Sequence, residues 1–272
     1  MPKVVIVGLA GKAGTGKTST AEQFVPAHSP GRKRVGKNIL VTDKLKLAAP
    51  LYEIYSALEI SGSEARSRQE YAVFDVLRDV FGGNPLYGAP SIPTLYDYTK
   101  HVLKKASELD TTRPRELLQW MGDMGRSFNE DCFVNLLIKK AFLLAEQNAA
   151  VVNREVDASS YEELVVAILI DDIRFNNEAA KLKKVFGNDC VITKLECEES
   201  ERMDRIIDRD GGAKMPLYRH ASEDIAIDNK YIDNIIDTTQ FDPEMVATIV
   251  STGVNNSLQE YIFPTQTGAM NG

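Results

Sequence analysis

The chain has 272 residues, of which 43% are apolar and 26% charged, ordinary values for a globular protein and too apolar for wholesale disorder. With 32 Lys+Arg against 39 Asp+Glu the formal charge is −7. An acidic chain is poorly suited to wrap duplex DNA or to lie on an anionic membrane, so neither partner is expected. No apolar run reaches the roughly 18 residues of a membrane span. The three cysteines, Cys132, Cys190 and Cys197, form no CxxC pair, which argues against a zinc site or a disulfide framework and favours a reducing cytoplasmic setting.

Val4 to Val7 is a short all-apolar run, the pattern of a strand buried on both faces of a parallel sheet. A helix is predicted over Lys17–Phe24, and a second buried strand over Ile39–Val41. Residues 31 to 37 read as solvated surface. Helical spacing runs through 44–81, Gly and Pro make 82–93 a loop, and another helix is predicted near Leu95–Leu109. Pro114 stands at the first position of a helix. Asn129 is a plausible N-cap for one running to about Gln147. The strongest strand is Leu164–Ile170, followed by a helix over Glu178–Val185, a strand over Val191–Leu195, a helix over Ser200–Asp208 and a last strand ending at Ile236. Strands alternating with helices predict a three-layer α/β fold, with 252–272 as a loose polar tail.

Charge is distributed unevenly. Met1 to Leu47 holds nine Lys+Arg against Glu22 and Asp43, and Glu223 to Gly272 holds eight acids against Lys230. A basic first segment in an acidic chain points to a local anion site. The motif there is Gly11-Lys12-Ala13-Gly14-Thr15-Gly16-Lys17-Thr18, a full match to G-x-x-x-x-G-K-[ST] between a predicted strand and a predicted helix. Glycines let the backbone curl so that its N–H groups face phosphate oxygens, and the helix start adds a partial positive charge. Lys17 would reach the β- and γ-phosphates and the Thr18 hydroxyl would ligate Mg²⁺, with Ser19 completing the ATP-binding run.

After the long strand come Asp171 and Asp172. Asp172 is the candidate metal acid and Asp171 the strand-end or capping acid. Arg174 beside them suits a site holding a second phosphate, where a motor would carry a water-activating Glu. Asn229-Lys230-Tyr231-Ile232 misses the N-K-x-D pattern of GTPases, Asp233 standing one residue late. Arg202, Arg205 and Arg209 share a helix face by i, i+3, i+7 spacing, with Glu201, Asp204 and Asp208 read on the opposite face. The break at Asp210-Gly211-Gly212 and the later Arg219-His220 suggest a lid over 198–222 that closes on the transferred phosphoryl group and excludes water.

These residues resemble the deoxynucleoside monophosphate kinases of bacteriophages, within the nucleoside monophosphate kinase group of P-loop proteins. Beside the loop, Thr42-Asp43-Lys44-Leu45-Lys46 looks like the family's acid-plus-lysine segment. Pro114 to Arg126 is similar to P-R-x-x-L-Q-x-x-G-x-x-x-R, Asp172 to Glu178 to D-[VI]-R-F-P-N-E, and His220 to Glu223 to H-x-S-E. Asn176 replaces the usual Pro, Phe133 stands where Trp is common, and 82–93 and 148–163 look like insertions. The resemblance implies one P-loop NTPase core with a parallel sheet (1–43 and 148–251), a helical acceptor-binding insertion (44–147) and the arginine-bearing lid. It implies transfer of the γ-phosphoryl of ATP, with Mg²⁺, to a deoxynucleoside 5′-monophosphate in the cytoplasm, that of the host if the chain is phage-encoded. Lys17, Asp43, Arg174, Arg202, Arg205 and Arg209 would then be catalytic; Asp43, Lys46, Arg115, Gln119, Trp120, Arg126 and Arg174 would bind the acceptor. Small kinases of this type are often dimers. A dephospho-coenzyme A or nucleoside kinase, or a non-kinase ATP-binding protein, is the alternative.

Overall fold

A computed structural model describes residues 2–24, 31–35, 38–59, 65–81, 92–108, 114–210 and 227–253. Its centre is a six-stranded sheet of β1 (Lys3–Ala10), β2 (Gly31–Val35), β3 (Asn38–Leu45), β4 (Leu164–Ile173), β5 (Cys190–Glu196) and β6 (Asn234–Asp237), ordered β2-β3-β4-β1-β5-β6. Five strands are parallel; β2 pairs antiparallel with β3 at one edge. The protein is therefore an α/β protein, with one antiparallel edge strand that sequence reading had left as solvated surface. Arg32 and Arg34 of β2 are exposed, and charged side chains of this kind keep an edge strand from pairing with other chains. Arg32 pairs with Glu155 and Arg34 donates to the Ser160 carbonyl, tying the edge to the helix and turn behind it.

Helices cover both faces. On one lie α1 (Lys17–Phe24) and α9 (Pro243–Gly253), packed on each other. Ala21, Phe24, Val246 and Val250 close over Val5, Val7, Val165 and Leu169 of the sheet. On the other, α7 (Asn176–Phe186) lies against β1 and β5 and buries Ala179 and Leu182. Burial on both sides is why β1 and β4 are almost continuously apolar. The helix α9 extends to Gly253, into the stretch 252–272 expected to be a tail, of which 254–272 lies outside the described residues.

Leu47–Leu137 forms a second compact unit, the sheet and the remaining residues the first. The second unit contains α2 (Ala49–Leu58), α3 (Ala65–Phe81), α4 (Ile92–Glu108) and α5 (Pro114–Phe128). The boundary falls inside α6 (Cys132–Glu155), which ends eight residues later than predicted, so 148–155 is helix. Asn148 misleads because it is polar, yet it is buried and its amide donates to the Leu144 carbonyl one turn back. Asn129 Oδ1 accepts from the Asp131 amide ahead of α6. The loop expected at 82–93 falls mostly outside the described residues, though 92 and 93 already belong to α4. Among the described residues no helix is long and apolar enough to cross a membrane.

Candidate functional site

The parallel strands in chain order are arranged second, third, first, fourth, fifth, so the chain leaves β1 in one direction and later returns to its other side. Ligands in open α/β sheets bind outside the carboxyl ends of strands at such a reversal. The loop after β1 is the glycine-rich segment Gly11–Gly16, and it delivers the chain into α1 at Lys17, the predicted first residue. Gly14 and Gly16 have φ of +85° and +86°, the left-handed region that favours glycine. At Gly14 space is short as well: a Cβ would lie 2.7 Å from the Arg202 carbonyl of α8 (Glu199–Asp210). At Gly16 nothing lies within 4 Å, so only the backbone conformation demands glycine.

Lys17 Nζ donates to the carbonyls of Gly11 (2.5 Å) and Lys12 (2.7 Å), so the ammonium folds back across the mouth of its own loop. Thr15 is buried, and its hydroxyl donates to the Lys12 carbonyl at 2.9 Å. Thr18 and Ser19 are exposed at the start of α1, and Lys12 is exposed beside Ala13. The loop thus brings together the side chains that sequence reading assigned to phosphate and metal.

Beside this loop, β1 and β4 lose register: Gly8 pairs with Ile170 but Ala10 with Ile173, so Asp171 and Asp172 both stand opposite Leu9. An irregularity of this kind re-aims side chains near active sites. Both acids lie within β4, not after it. Asp171 is buried, with Lys44 Nζ of β3 2.7 Å from its Oδ2. Neither Asp171 oxygen accepts a well-aligned hydrogen bond among the described residues, so the contact with Lys44 is an ion pair more than a hydrogen bond. Asp172 is half-buried. Lys44 balances Asp171, and the oxygen donors that the sequence assigns to a cation are the Thr18 hydroxyl and the Asp172 carboxylate. That small, hard donor set fits Mg²⁺, which takes one or two carboxylates and fills its shell with water and phosphate oxygens. Among the described residues no cluster of three or more His, Cys, Asp or Glu could hold a metal by itself.

Asp43 is half-buried on β3 and its Oδ1 accepts from the Lys44 amide at 2.7 Å; Lys46 is exposed just beyond. Arg174 follows β4. Buried Glu178 accepts from the amides of Arg174 (2.8 Å) and Phe175 (3.0 Å), fixing the backbone where Arg174 projects and capping α7. This role of Glu178 is not evident from the motif alone; its signal in the sequence is a Glu in the first turn of the helix that follows a strand. Asp233, one residue late for a base-reading motif, accepts from the Ile192 amide and from Lys183 Nζ, and so is structural.

The three arginines of α8 do not act as one face. Arg202 is buried, Arg205 half-buried and Arg209 exposed. Arg202 donates to the Ala13 carbonyl at 2.8 Å and to Glu199, which holds the Glu199 carboxyl below the usual carboxylate range. Arg205 donates to Glu201 and to the carbonyl of Thr238 at 2.9 Å. Glu201 therefore sits beside Arg205, four residues on, and not on the opposite face. The rest of the expected lid, 211–222, lies outside the described residues.

In the second unit, α5 carries Arg115, Gln119, Trp120 and Arg126, all half-buried. Arg126 lies back along its helix: Nη2 donates to Asp123 at 2.8 Å, and the guanidinium stands 5.9 Å from the Phe133 ring centre. A Cβ at Gly122 would lie 3.0 Å from Arg126 Nη2, so the guanidinium packs closely over this glycine. Trp120 neighbours buried Leu117 and Met121 on this helix. Tyr98 donates to the Met121 carbonyl within a cluster of Phe81, Tyr98 and Phe128 rings.

No family model and no curated protein matches the chain. Among solved structures it is similar to TT1252 from Thermus thermophilus, at 14% identity and a TM-score of 0.36 over 92% of this chain and 96% of that one.

Proposed function

We propose that the chain is a P-loop kinase that transfers the γ-phosphoryl group of ATP to a deoxynucleoside 5′-monophosphate. The observation that carries the reading is the loop Gly11–Gly16, with all three of its glycines at positive φ, leading from the central parallel strand into a helix that begins at Lys17. Loop amides and the helix start would hold the phosphates of the donor. Lys17 would leave the Gly11 and Lys12 carbonyls for the β- and γ-phosphates, exchanging neutral acceptors for charged ones. Thr18 and Asp172 would hold Mg²⁺, which would supply positive charge against that developing on transfer.

Arg174, with its backbone fixed by Glu178, supports the kinase reading over an ATP-driven motor, because a second phosphate group needs a cation close to the metal acid. In the acceptor unit, Arg126, Arg115, Gln119 and Trp120 are assigned to the monophosphate, along with Asp43 and Lys46 of the core. A phosphate acceptor already carries nucleophilic oxygens, so Asp43 is assigned to metal-bound water or the acceptor sugar. The exposed Arg209 is the arginine of α8 assigned to the transferred group.

The test is ADP formation by the full chain with ATP, Mg²⁺ and a panel of deoxynucleoside monophosphates, nucleosides and dephospho-coenzyme A. Stimulation by a deoxynucleoside monophosphate, abolished in Lys17→Ala, is expected. ADP formation that no monophosphate stimulates would overturn the acceptor, and full turnover by Lys17→Ala would overturn the loop assignment.

A further inference from the structure

A phosphate-binding loop works only if its peptide N–H groups face the ligand. In a planar trans peptide the C=O and the following N–H point in opposite directions, so whatever holds the carbonyl aims the amide. Two peptides of the loop are held this way from behind. The Ala13 carbonyl accepts from Arg202 Nη1 at 2.8 Å, and the Thr15 carbonyl accepts from Thr238 Oγ1 at 3.1 Å. The amides these contacts aim are those of Gly14 and Gly16, two of the loop's three glycines at positive φ, where the backbone has more freedom to turn over than at other residues.

Both donors come from outside the loop and are buried, Arg202 at 9% exposure and Thr238 at 2%. Both are themselves fixed. Arg202 is braced by two hydrogen bonds to Glu199, at 3.0 and 2.5 Å. Thr238 follows β6; its amide donates to the Glu196 carbonyl at 2.8 Å, and its one hydroxyl proton is shared between the Thr15 carbonyl and the Glu196 carbonyl, 3.1 and 3.0 Å away. Arg205 caps the same residue, donating to the Thr238 carbonyl at 2.9 Å.

We infer that Arg202 and Thr238 are positioning residues that hold the Gly14 and Gly16 amides toward the nucleotide phosphates, acting through the loop and not on the transferred group. The inference rests on the P-loop reading above and reassigns Arg202 within it. An arginine that touched the γ-phosphate would distinguish ATP from ADP. A residue that aims loop amides supports every phosphate the loop holds, so its loss weakens ATP and ADP together.

The experiment is calorimetric titration of the full chain with MgATP and with MgADP, for wild type, Thr238→Val, Thr238→Ser and Arg202→Gln, with circular dichroism confirming the fold of each. Thr238→Val keeps the shape and loses the donor; it is expected to weaken both nucleotides about tenfold and by the same factor. Thr238→Ser keeps the hydroxyl and should bind within about twofold of wild type. Arg202→Gln should weaken both nucleotides alike. Folded Thr238→Val with wild-type dissociation constants, its only change a lower melting temperature, overturns the inference for Thr238. Selective loss of ATP binding in Arg202→Gln overturns it for Arg202. Wild type binding neither nucleotide would instead overturn the P-loop reading itself.

Discussion

Replacing Lys44 by Met leaves the Asp171 carboxylate in the sheet without its cation. The Asp171 side chain is 2% exposed and that of Lys44 22%, with 2.7 Å between their charged atoms. At an effective dielectric of about 20 the gross attraction across that distance is about 6 kcal/mol, much of it offset by the cost of taking both charges out of water. Removing one partner of such a pair exposes the cost without the attraction, about 3–5 kcal/mol. Domains have only about 5–15 kcal/mol in total, so Lys44→Met should lower the urea midpoint by more than about 1 M, given a slope of about 2–3 kcal/mol per M. Combining it with Asp171→Asn removes the stranded charge and should recover most of the loss. Urea unfolding followed by circular dichroism reads all three proteins. A loss below about 1 kcal/mol in the single variant, or a double variant no better than the single, would show that Lys44 does not compensate Asp171.

Other predictions test neighbouring features. Gly16→Ala meets only the backbone penalty of positive φ, about 1–2 kcal/mol, whereas Gly14→Ala also drives its Cβ against the Arg202 carbonyl; Gly14→Ala should have the lower urea midpoint, and equal midpoints would refute the packing argument. Burial pushes the Cys190 thiol up to about 12, and Cys132 is also buried. At pH 8 a thiol reagent should therefore modify Cys197 quickly and the other two only in denaturant, as peptide mass mapping would show. The Arg202 hydrogen bond lowers the Glu199 carboxyl, so its stabilisation is complete above the pKa of the unfolded carboxyl and is lost as pH falls through the lower folded value. The gap in melting temperature between wild type and Glu199→Gln should thus be open at pH 7 and narrow toward pH 3; a gap independent of pH would contradict the pairing.

How much was legible in the sequence depended on what each segment packs against. The strands at 4–7, 39–41 and 164–170 were readable because burial on both faces leaves nothing but apolar residues, and 191–195 because Thr193 and Lys194 interrupt its apolar run only briefly. The same signal failed at strand ends. β4 continues through Asp171 and Asp172 to Ile173 because those acids are used inside the sheet, one beside Lys44, and charge looks like the end of a buried run. β2 carries Arg32, Lys33 and Arg34 in succession, which hides the alternation of an edge strand. The helix α9 went unread although Val246, Ala247 and Val250 form a buried stripe behind Pro243. The loop motif showed where α1 starts, at Lys17, since spacing within a turn fixes local geometry. Its supports did not show, because Arg202 is 189 residues from Ala13 and Thr238 is 223 from Thr15.

Helical spacing also explains why the arginines of α8 were read as a set. An i, i+3, i+7 pattern says which side chains share a direction, but not what lies in that direction. Here the helix leans on the loop at its first turns, so the direction points into protein at Arg202, along the β6 turn at Arg205 and into solvent at Arg209. Burial of a guanidinium demands that its donors be used, and two buried or half-buried arginines with filled donor sets cannot swing onto a substrate without stranding the carbonyls they hold. Under the proposed kinase reading the cations of α8 would divide their work by depth. Arg202 and Arg205, nearest the sheet, hold carbonyls of the loop and of the β6 turn, and Arg209 at the exposed end would be the one assigned to the phosphates.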